Sequence, residues 1–203
     1  MSNSKQQARN ARKFLVTSML LAMAQFPLAA QANGLVLGME LSGGGDDIAV
    51  MTSGETIKAG ELLYFGAGYN YSLSSDNTLF LRSMLGFKFV NINAKNGDLA
   101  FTRFPLDFIF IKRLDAFSLG AGPTYHLSPS YDGTINGVFS KIDFDNSLGL
   151  LVQGSYYFSQ QTELGVRFTS IDYKAGASIV LPGGTVTNEL NGNSLGVFLM
   201  TSF

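Results

Sequence analysis

The chain has 203 residues, of which 46% are hydrophobic and 14% are charged, and it contains no cysteine and no tryptophan. Soluble domains usually carry about 25% charged residues, so this chain is short of polar surface. The absence of cysteine excludes disulfides and thiolate metal sites.

The N-terminal segment predicts a cleavable secretory signal peptide over residues 1–32. A basic head is followed by the apolar stretch from Phe14 to Leu28, and Ala30 and Ala32 supply small residues at the usual cleavage positions. The alternative is an amphipathic or membrane-anchoring first helix, but the apolar run is shorter than the roughly 20 residues that a span needs and ends in a small-residue site. Residues 33–203 then hold 10 basic and 15 acidic residues, a net charge of −5. This acidic balance argues against nucleic acid as a partner.

Strand-like segments recur along residues 33–203, and the gaps between them alternate in length. The predicted strands cover 35–42, 60–73, 78–92, 101–112, 117–128, 142–158, 163–173 and 194–203. Short turns follow the second, fourth and sixth strands. The longer connections at 46–57, 93–100, 129–141 and 175–193 are rich in residues that favour loops. Eight strands with short turns at one end and long loops at the other are typical of a small transmembrane β-barrel.

Apolar and polar residues alternate within the predicted strands. In 142–158, the set Phe144, Leu148, Leu150, Val152 and Tyr156 opposes polar residues and glycine. Pro123 interrupts one strand and predicts a local bulge, because proline removes a ladder hydrogen bond. A soluble sandwich or lipocalin-like barrel would also alternate. The signal peptide, the alternating loop lengths and the aromatic-rich apolar faces together favour a membrane barrel.

Two predicted strand sequences resemble recurring strand sequences of a known family. They are Arg103-Phe104-Pro105-Leu106 and the segment from Leu119 to Leu127. This family is the small eight-stranded bacterial outer-membrane barrels, which include the transmembrane domain of OmpA and OmpX. The resemblance implies an all-β, eight-stranded, antiparallel, up-and-down transmembrane barrel over 33–203. It also implies a place in the outer membrane, reached through the signal peptide.

The C-terminal strand ends on an aromatic residue, which resembles the signal by which outer-membrane barrels are recognised for assembly. Leu195, Val197, Leu199 and Phe203 are expected to face lipid. The resemblance implies periplasmic chaperones and the barrel-assembly machinery as partners, together with outer-membrane lipid and lipopolysaccharide. Lys58, Lys88 and Lys95 are predicted near the outer rim, where they would meet lipopolysaccharide phosphates.

An eight-stranded barrel has an interior that side chains fill. Side chains that alternate between the two faces of each strand predict an apolar lumen plug near the short turns, made of Phe80, Met84, Tyr157, Phe198 and Met200. Above it, a lumen charge network is predicted, made of Glu40, Arg82, Arg103, Asp107 and Arg167. Buried charges must pair, because an unpaired buried ion costs several kcal/mol. The three arginines are therefore expected to bridge the carboxylates and to close the barrel.

One constellation could carry catalysis. His126, Ser128 and Asp143 lie on adjacent predicted strands at the same end, and a Ser-His-Asp arrangement is recognised by its geometry. The spacing of His126 and Ser128 resembles the His-x-Ser of the lipid A deacylase barrels, but Pro129 stands where that family has asparagine. The alternative is that both side chains are polar lumen residues. A single histidine and scattered carboxylates predict no metal site.

The sequence therefore predicts a monomeric outer-membrane barrel without a cofactor, acting as a structural or surface-interaction protein through its extracellular loops. Two alternatives stay open. The first is a narrow channel for small hydrophobic solutes, and the second is a lipid A acyl hydrolase that uses His126 and Ser128.

Overall fold

The computed structural model describes residues 33–50, 56–94, 97–135, 138–180 and 186–203. Every regular element in these ranges is a strand: β1 (Gly34–Gly43), β2 (Asp47–Val50), β3 (Thr56–Lys58), β4 (Leu62–Ser72), β5 (Leu79–Ala94), β6 (Gly97–Leu114), β7 (Phe117–Ile135), β8 (Val138–Asp143), β9 (Ser147–Tyr157), β10 (Thr162–Ser170), β11 (Asp172–Val180), β12 (Val186–Asn191) and β13 (Ser194–Ser202). The predicted signal peptide lies outside the described residues. Among those residues, no helix has the length and apolar character needed to cross a bilayer.

Eight of these strands close into an antiparallel barrel. Strand β1 pairs with β4 on one side and with β13 on the other, so that Val36 lies opposite both Gly68 and Ser202. The order around the wall is β1, β4, β5, β6, β7, β9, β10 and β13. The predicted all-β, eight-stranded, up-and-down barrel is confirmed.

The outer wall of the barrel is apolar. In β9, Leu150 is 66% exposed whereas the adjacent Leu151 is 2% exposed. The same alternation leaves Leu119, Leu164, Val166, Leu195 and Val197 on the outside. Apolar side chains outside and polar side chains inside are the pattern of a barrel that spans a membrane.

The four long connections are largely β-hairpins, which corrects their prediction as loops. β2 pairs with β3, with Asp47 opposite Lys58, and the ladder between β5 and β6 extends to the pair Ala94 and Gly97. β7 continues to pair with β8, and β11 pairs with β12. Alternate residues of β3, β6 and β11 are buried in these hairpins, and this burial stabilises pairing beyond the membrane.

Two register predictions need correction. The ladder between β6 and β7 is interrupted near Pro123, but its register does not change there. The shift lies between Thr102 and Phe104, where Ser128 on the opposite strand has a φ of 46°. Phe144 is 6% exposed and faces inward, unlike Leu148. The strand predicted over 142–158 is interrupted between β8 and β9, so the alternation does not continue through this point.

Candidate functional site

Apolar side chains fill the lumen at the end that carries the short turns. One cluster contains Val36, Met84, Phe198 and Met200, and a second contains Phe80, Ile109, Ile111 and Leu151. The structure places all five predicted plug residues inside the barrel: Phe80, Met84, Tyr157, Phe198 and Met200 are each at most 9% exposed.

The C-terminal strand turns two of the four residues predicted to face lipid fully outward. Leu195 and Val197 are 64% and 53% exposed on the outer wall, whereas Phe198 is 1% exposed in the lumen. Leu199 and Phe203 are partly exposed. The backbone N–H of Phe203 donates to the carbonyl of Leu35 at 2.8 Å, which ties the two ends of the barrel wall together.

Arg167 lies at the centre of a buried ion-pair network. Its Nη1 is 3.3 Å from Glu40 Oε2 and 3.3 Å from Asp107 Oδ2. Its Nε and Nη2 donate to Gln153 Oε1 at 3.1 and 2.8 Å, and Thr124 Oγ1 donates to Asp107 at 2.6 Å. The structure thus brings together Arg167, Glu40 and Asp107, in a place where buried charges require partners.

Lys88 belongs to the same network. Its Nζ lies 3.5 Å from Glu40 Oε1 and 3.4 Å from Ser194 Oγ, and the residue is 5% exposed. This buried position corrects the prediction that Lys88 reaches lipopolysaccharide phosphates. Lys95 lies outside the described residues. Lys58 is on the surface and pairs with Asp47, a hydrogen bond that raises the pKa of Lys58.

Arg82 pairs with a carboxylate that was not part of the predicted charge network. Its Nη1 lies 2.5 Å from Glu163 Oε1, and its Nε donates to Asn70 Oδ1 at 2.9 Å. Ser155 Oγ donates to the other oxygen of Glu163. Glu163 and Arg167 lie four residues apart on one predicted strand, so their side chains face the same side of the wall. This spacing would have placed Glu163 in the lumen together with Arg167.

Arg103 does not join the carboxylates that it was expected to bridge. Its Nη2 donates to the backbone carbonyl of Glu61 at 2.7 Å, and its guanidinium lies 4.7 Å from the centre of the Phe101 ring. Within the described ranges, no carboxylate lies within 4 Å of it. Arg103 is therefore held by a backbone carbonyl and an aromatic ring, and not by an acidic partner.

A large apolar cluster, absent from the sequence-based predictions, closes the end of the barrel opposite the short turns. Phe101 and Tyr173 pack edge to face at 5.5 Å, and Phe101 and Phe144 at 5.8 Å. The cluster draws on all four outer hairpins and consists of Ile48, Ile57, Ala59, Val90, Leu99, Phe101, Tyr131, Phe144, Ile171, Tyr173, Ala175, Ile179 and Leu190. We call it the outer cluster. The sequence feature that could have predicted this cluster is the alternation of apolar and polar residues, with a period of two, within the segments predicted as loops.

The three candidate catalytic residues are not brought together. His126 is 3% exposed, and its Nδ1 lies 2.7 Å from the Tyr173 hydroxyl. Ser128 is exposed at the bulge, where its backbone N–H donates to Asn146 Oδ1 at 2.8 Å. Asp143 is on the surface, where it accepts a hydrogen bond from Ser130 Oγ at 3.0 Å and pairs with Lys141. The bulge turns Ser128 away from the lumen that His126 faces.

The side chains of the charge network enclose a cavity of about 10 Å³, lined by residues that include Tyr64, Lys88, Asp107, His126 and Arg167. A cavity of this size is at the lower limit for one water molecule. Within the described part of the chain, no group of three or more histidine, cysteine, aspartate or glutamate residues is arranged to hold a metal ion.

Comparisons with known proteins agree with this architecture. Neisserial surface protein A is similar over 87% of this chain and 100% of its own, with a TM-score of 0.53 and 15% identity. Ail, the attachment invasion locus protein of Yersinia pestis, is similar over 84% of this chain and 97% of its own, with a TM-score of 0.51 and 10% identity. At these identities the likeness shows the fold.

The outer membrane protein OprG from Pseudomonas aeruginosa matches 83% of this chain and 93% of its own, with a TM-score of 0.39 and 14% identity. No protein-family model matches the chain. No curated protein sequence matches it either.

Proposed function

We propose that this chain is a bacterial outer-membrane barrel with a closed lumen, which acts through its outer hairpins as a structural or surface-interaction protein. Barrels of this kind carry short turns on the periplasmic side and longer connections outside the cell. The apolar outer wall, the four long hairpins at one end and the predicted signal peptide support this location and orientation.

The observation that carries the proposal is the filling of the lumen at three levels. The apolar clusters around Phe198 and Ile111 occupy the short-turn end, the Arg167 network occupies the middle, and the outer cluster occupies the far end. A small barrel filled in this way has no room for a solute path. The side chains of the outer hairpins are then the part of the molecule that can meet partners.

The names of the similar proteins point the same way. One is described as a surface protein, and the other is named for attachment and invasion. These names support a surface role for this chain, with the four hairpins as the contact region.

Conductance of the refolded protein in a planar bilayer tests the closed lumen. We expect no discrete current steps from the wild type. As a positive control, the variant Phe101→Ala/Tyr173→Ala/Arg167→Ala/Phe198→Ala removes bulk from all three levels and should produce brief steps. Steady steps from the wild type would overturn the proposal in favour of the narrow channel.

We also propose that the chain is not an enzyme, because His126 is engaged with Tyr173 and lies apart from Ser128 and Asp143. The test is mass analysis of lipid A from cells that express the wild type, His126→Ala or an empty vector. We expect three identical acyl patterns. Loss of an acyl chain in the wild type that His126→Ala abolishes would establish the hydrolase instead.

A further inference from the structure

The charges of this chain are sorted along the barrel axis. Among the residues that the structure describes, the lumen holds four cations and three buried carboxylates, a net charge of +1. At the short-turn end, Asp76 and Asp115 balance Lys112 and Arg113. The described residues within 44–61, 91–102, 129–146 and 171–193, which we call the outer end, carry nine carboxylates and three lysines, a net charge of −6. The net negative charge of the described residues therefore lies at the outer end.

The lysines of the outer end are already neutralised. Lys58 pairs with Asp47, Lys141 lies 3.4 Å from Asp143, and Lys174 lies 3.7 Å from Glu189. Within the described ranges, the other six carboxylates have no cation within 4 Å. These are Asp46, Glu61, Asp98, Asp132, Asp145 and Asp172.

Two of these six carboxylates have structural tasks. Asp46 accepts the backbone N–H of Asn191 at 2.8 Å, and Glu61 accepts that of Lys58 at 3.2 Å. Asp98, Asp145 and Asp172 are exposed, and Asp132 is half-buried beside Ser130. Asp98, Asp132 and Asp172 come from three different hairpins and Asp145 follows β8, so the negative field of these four aspartates covers the outer end broadly.

The hairpin of β7 and β8 projects from this acidic surface. Phe139, Ser140 and Lys141 are exposed in succession, so both faces of β8 meet solvent at this level. Phe139 is 66% exposed and Val186 on β12 is 64% exposed, whereas the large apolar residues Ile57, Leu99 and Tyr173 of the neighbouring hairpins are buried in the outer cluster. A large apolar side chain exposed among unpaired carboxylates is suited to a partner that supplies both cations and an apolar surface.

We infer that the outer end binds a basic polypeptide, with Phe139 as the apolar contact and Asp98, Asp132, Asp145 and Asp172 as the attracting charges. The inference rests on the proposed surface-interaction function and names the chemistry of the partner. Complementary charge steers such a partner toward the hairpins and raises the association rate. Acidic polysaccharides and nucleic acids would be repelled by the same field.

The test uses the protein in nanodiscs of zwitterionic phosphatidylcholine, with fluorescent oligolysine and oligoglutamate peptides as probes and empty nanodiscs as the blank. We expect oligolysine to bind and oligoglutamate not to bind. The variant Asp98→Asn/Asp132→Asn/Asp145→Asn/Asp172→Asn should weaken oligolysine binding by about tenfold or more. Asp76→Asn/Asp115→Asn, at the opposite end, should change it by less than about twofold.

A second probe, a peptide of mixed lysine and leucine, tests the apolar contact. Phe139→Ser should weaken its binding by about fivefold and leave oligolysine binding unchanged. Equal binding of oligolysine and oligoglutamate, or full binding by the quadruple variant, would overturn the inference. Either result would leave the conductance test of the closed lumen unaffected, so the two proposals can fail separately.

Discussion

Arg82 on β5 and Glu163 on β10 form an ion pair of 2.5 Å across the lumen, although four steps around the barrel separate their strands in either direction. Both side chains are at most 1% exposed. The pair therefore joins opposite walls of the barrel inside a low-dielectric interior, where each charge depends on the other.

Glu163→Gln should destabilise the barrel by about 3 kcal/mol, because it leaves the buried Arg82 without its counter-charge. The double variant Arg82→Met/Glu163→Gln should recover part of this loss. Urea unfolding of the protein refolded in lipid vesicles measures both. Lys141→Gln, which breaks the exposed pair with Asp143, is the control and should cost less than about 1 kcal/mol. Equal effects for the buried and exposed pairs would contradict the prediction.

Gly86→Ala should destabilise the barrel by about 1–3 kcal/mol, because a methyl group there would lie 2.0 Å from the Tyr64 ring. Tyr64 lies flat against the wall over Gly66 and Gly86, which are paired across β4 and β5. Gly43→Ala is the matched control, since its added carbon meets nothing within 4 Å. The same unfolding assay applies, and adding Tyr64→Ala should relieve the effect of Gly86→Ala. A fully additive double variant would argue against this contact.

The carboxyl of Asp76, in the turn between β4 and β5, should titrate at a pH of about 2. Hydrogen bonds from Ser74 and then from Thr78 lower the pKa of Asp76 to about 2. The unfolded chain protonates near the ordinary value of 3.8. The contribution of the ionised carboxylate to turn stability is therefore complete above about pH 4 and disappears as the pH falls toward 2. Carbon-13 NMR of the Asp76 carboxyl measures the midpoint, and Ser74→Ala should raise it.

A single tryptophan provides a clean test of the register of β13, because the chain has none of its own. Val197→Trp should be quenched strongly by lipids with brominated acyl chains, since position 197 faces outward. Phe198→Trp should be quenched weakly, since position 198 lies in the lumen. Val166→Trp, on the outer wall of β10, serves as a second outward reference. Reversed quenching at positions 197 and 198 would place the strand one residue out of register.

The strands that make up the barrel wall were readable from the chain alone. Alternation with a period of two marks each strand, and it correctly turned Val197 outward and Phe198 inward. The signal is local, because each residue of a barrel strand faces either lipid or lumen regardless of which strands lie beside it. The short turns were equally readable, since their residues favour turns wherever they occur.

The outer hairpins were underestimated because their stability is not local. Tyr173 and Phe101 are far apart in the chain and meet only when the hairpins converge on the outer cluster. The glycine-rich and polar composition of these four segments favours loops. Burial of their apolar residues in the outer cluster overrides this local preference and stabilises strands. The bulge at Ser128 likewise follows from a register shift between two strands, and it separates Ser128 from His126.

The sequence by itself determined which side of the wall most residues occupy and how many strands the wall contains. Only the tertiary structure decided which charges meet, pairing Arg82 with Glu163 and leaving Arg103 with a backbone carbonyl. The physical reason is that ion pairs across the lumen depend on the stagger of strands on opposite walls. That stagger is a property of the closed barrel and is not carried by any single strand.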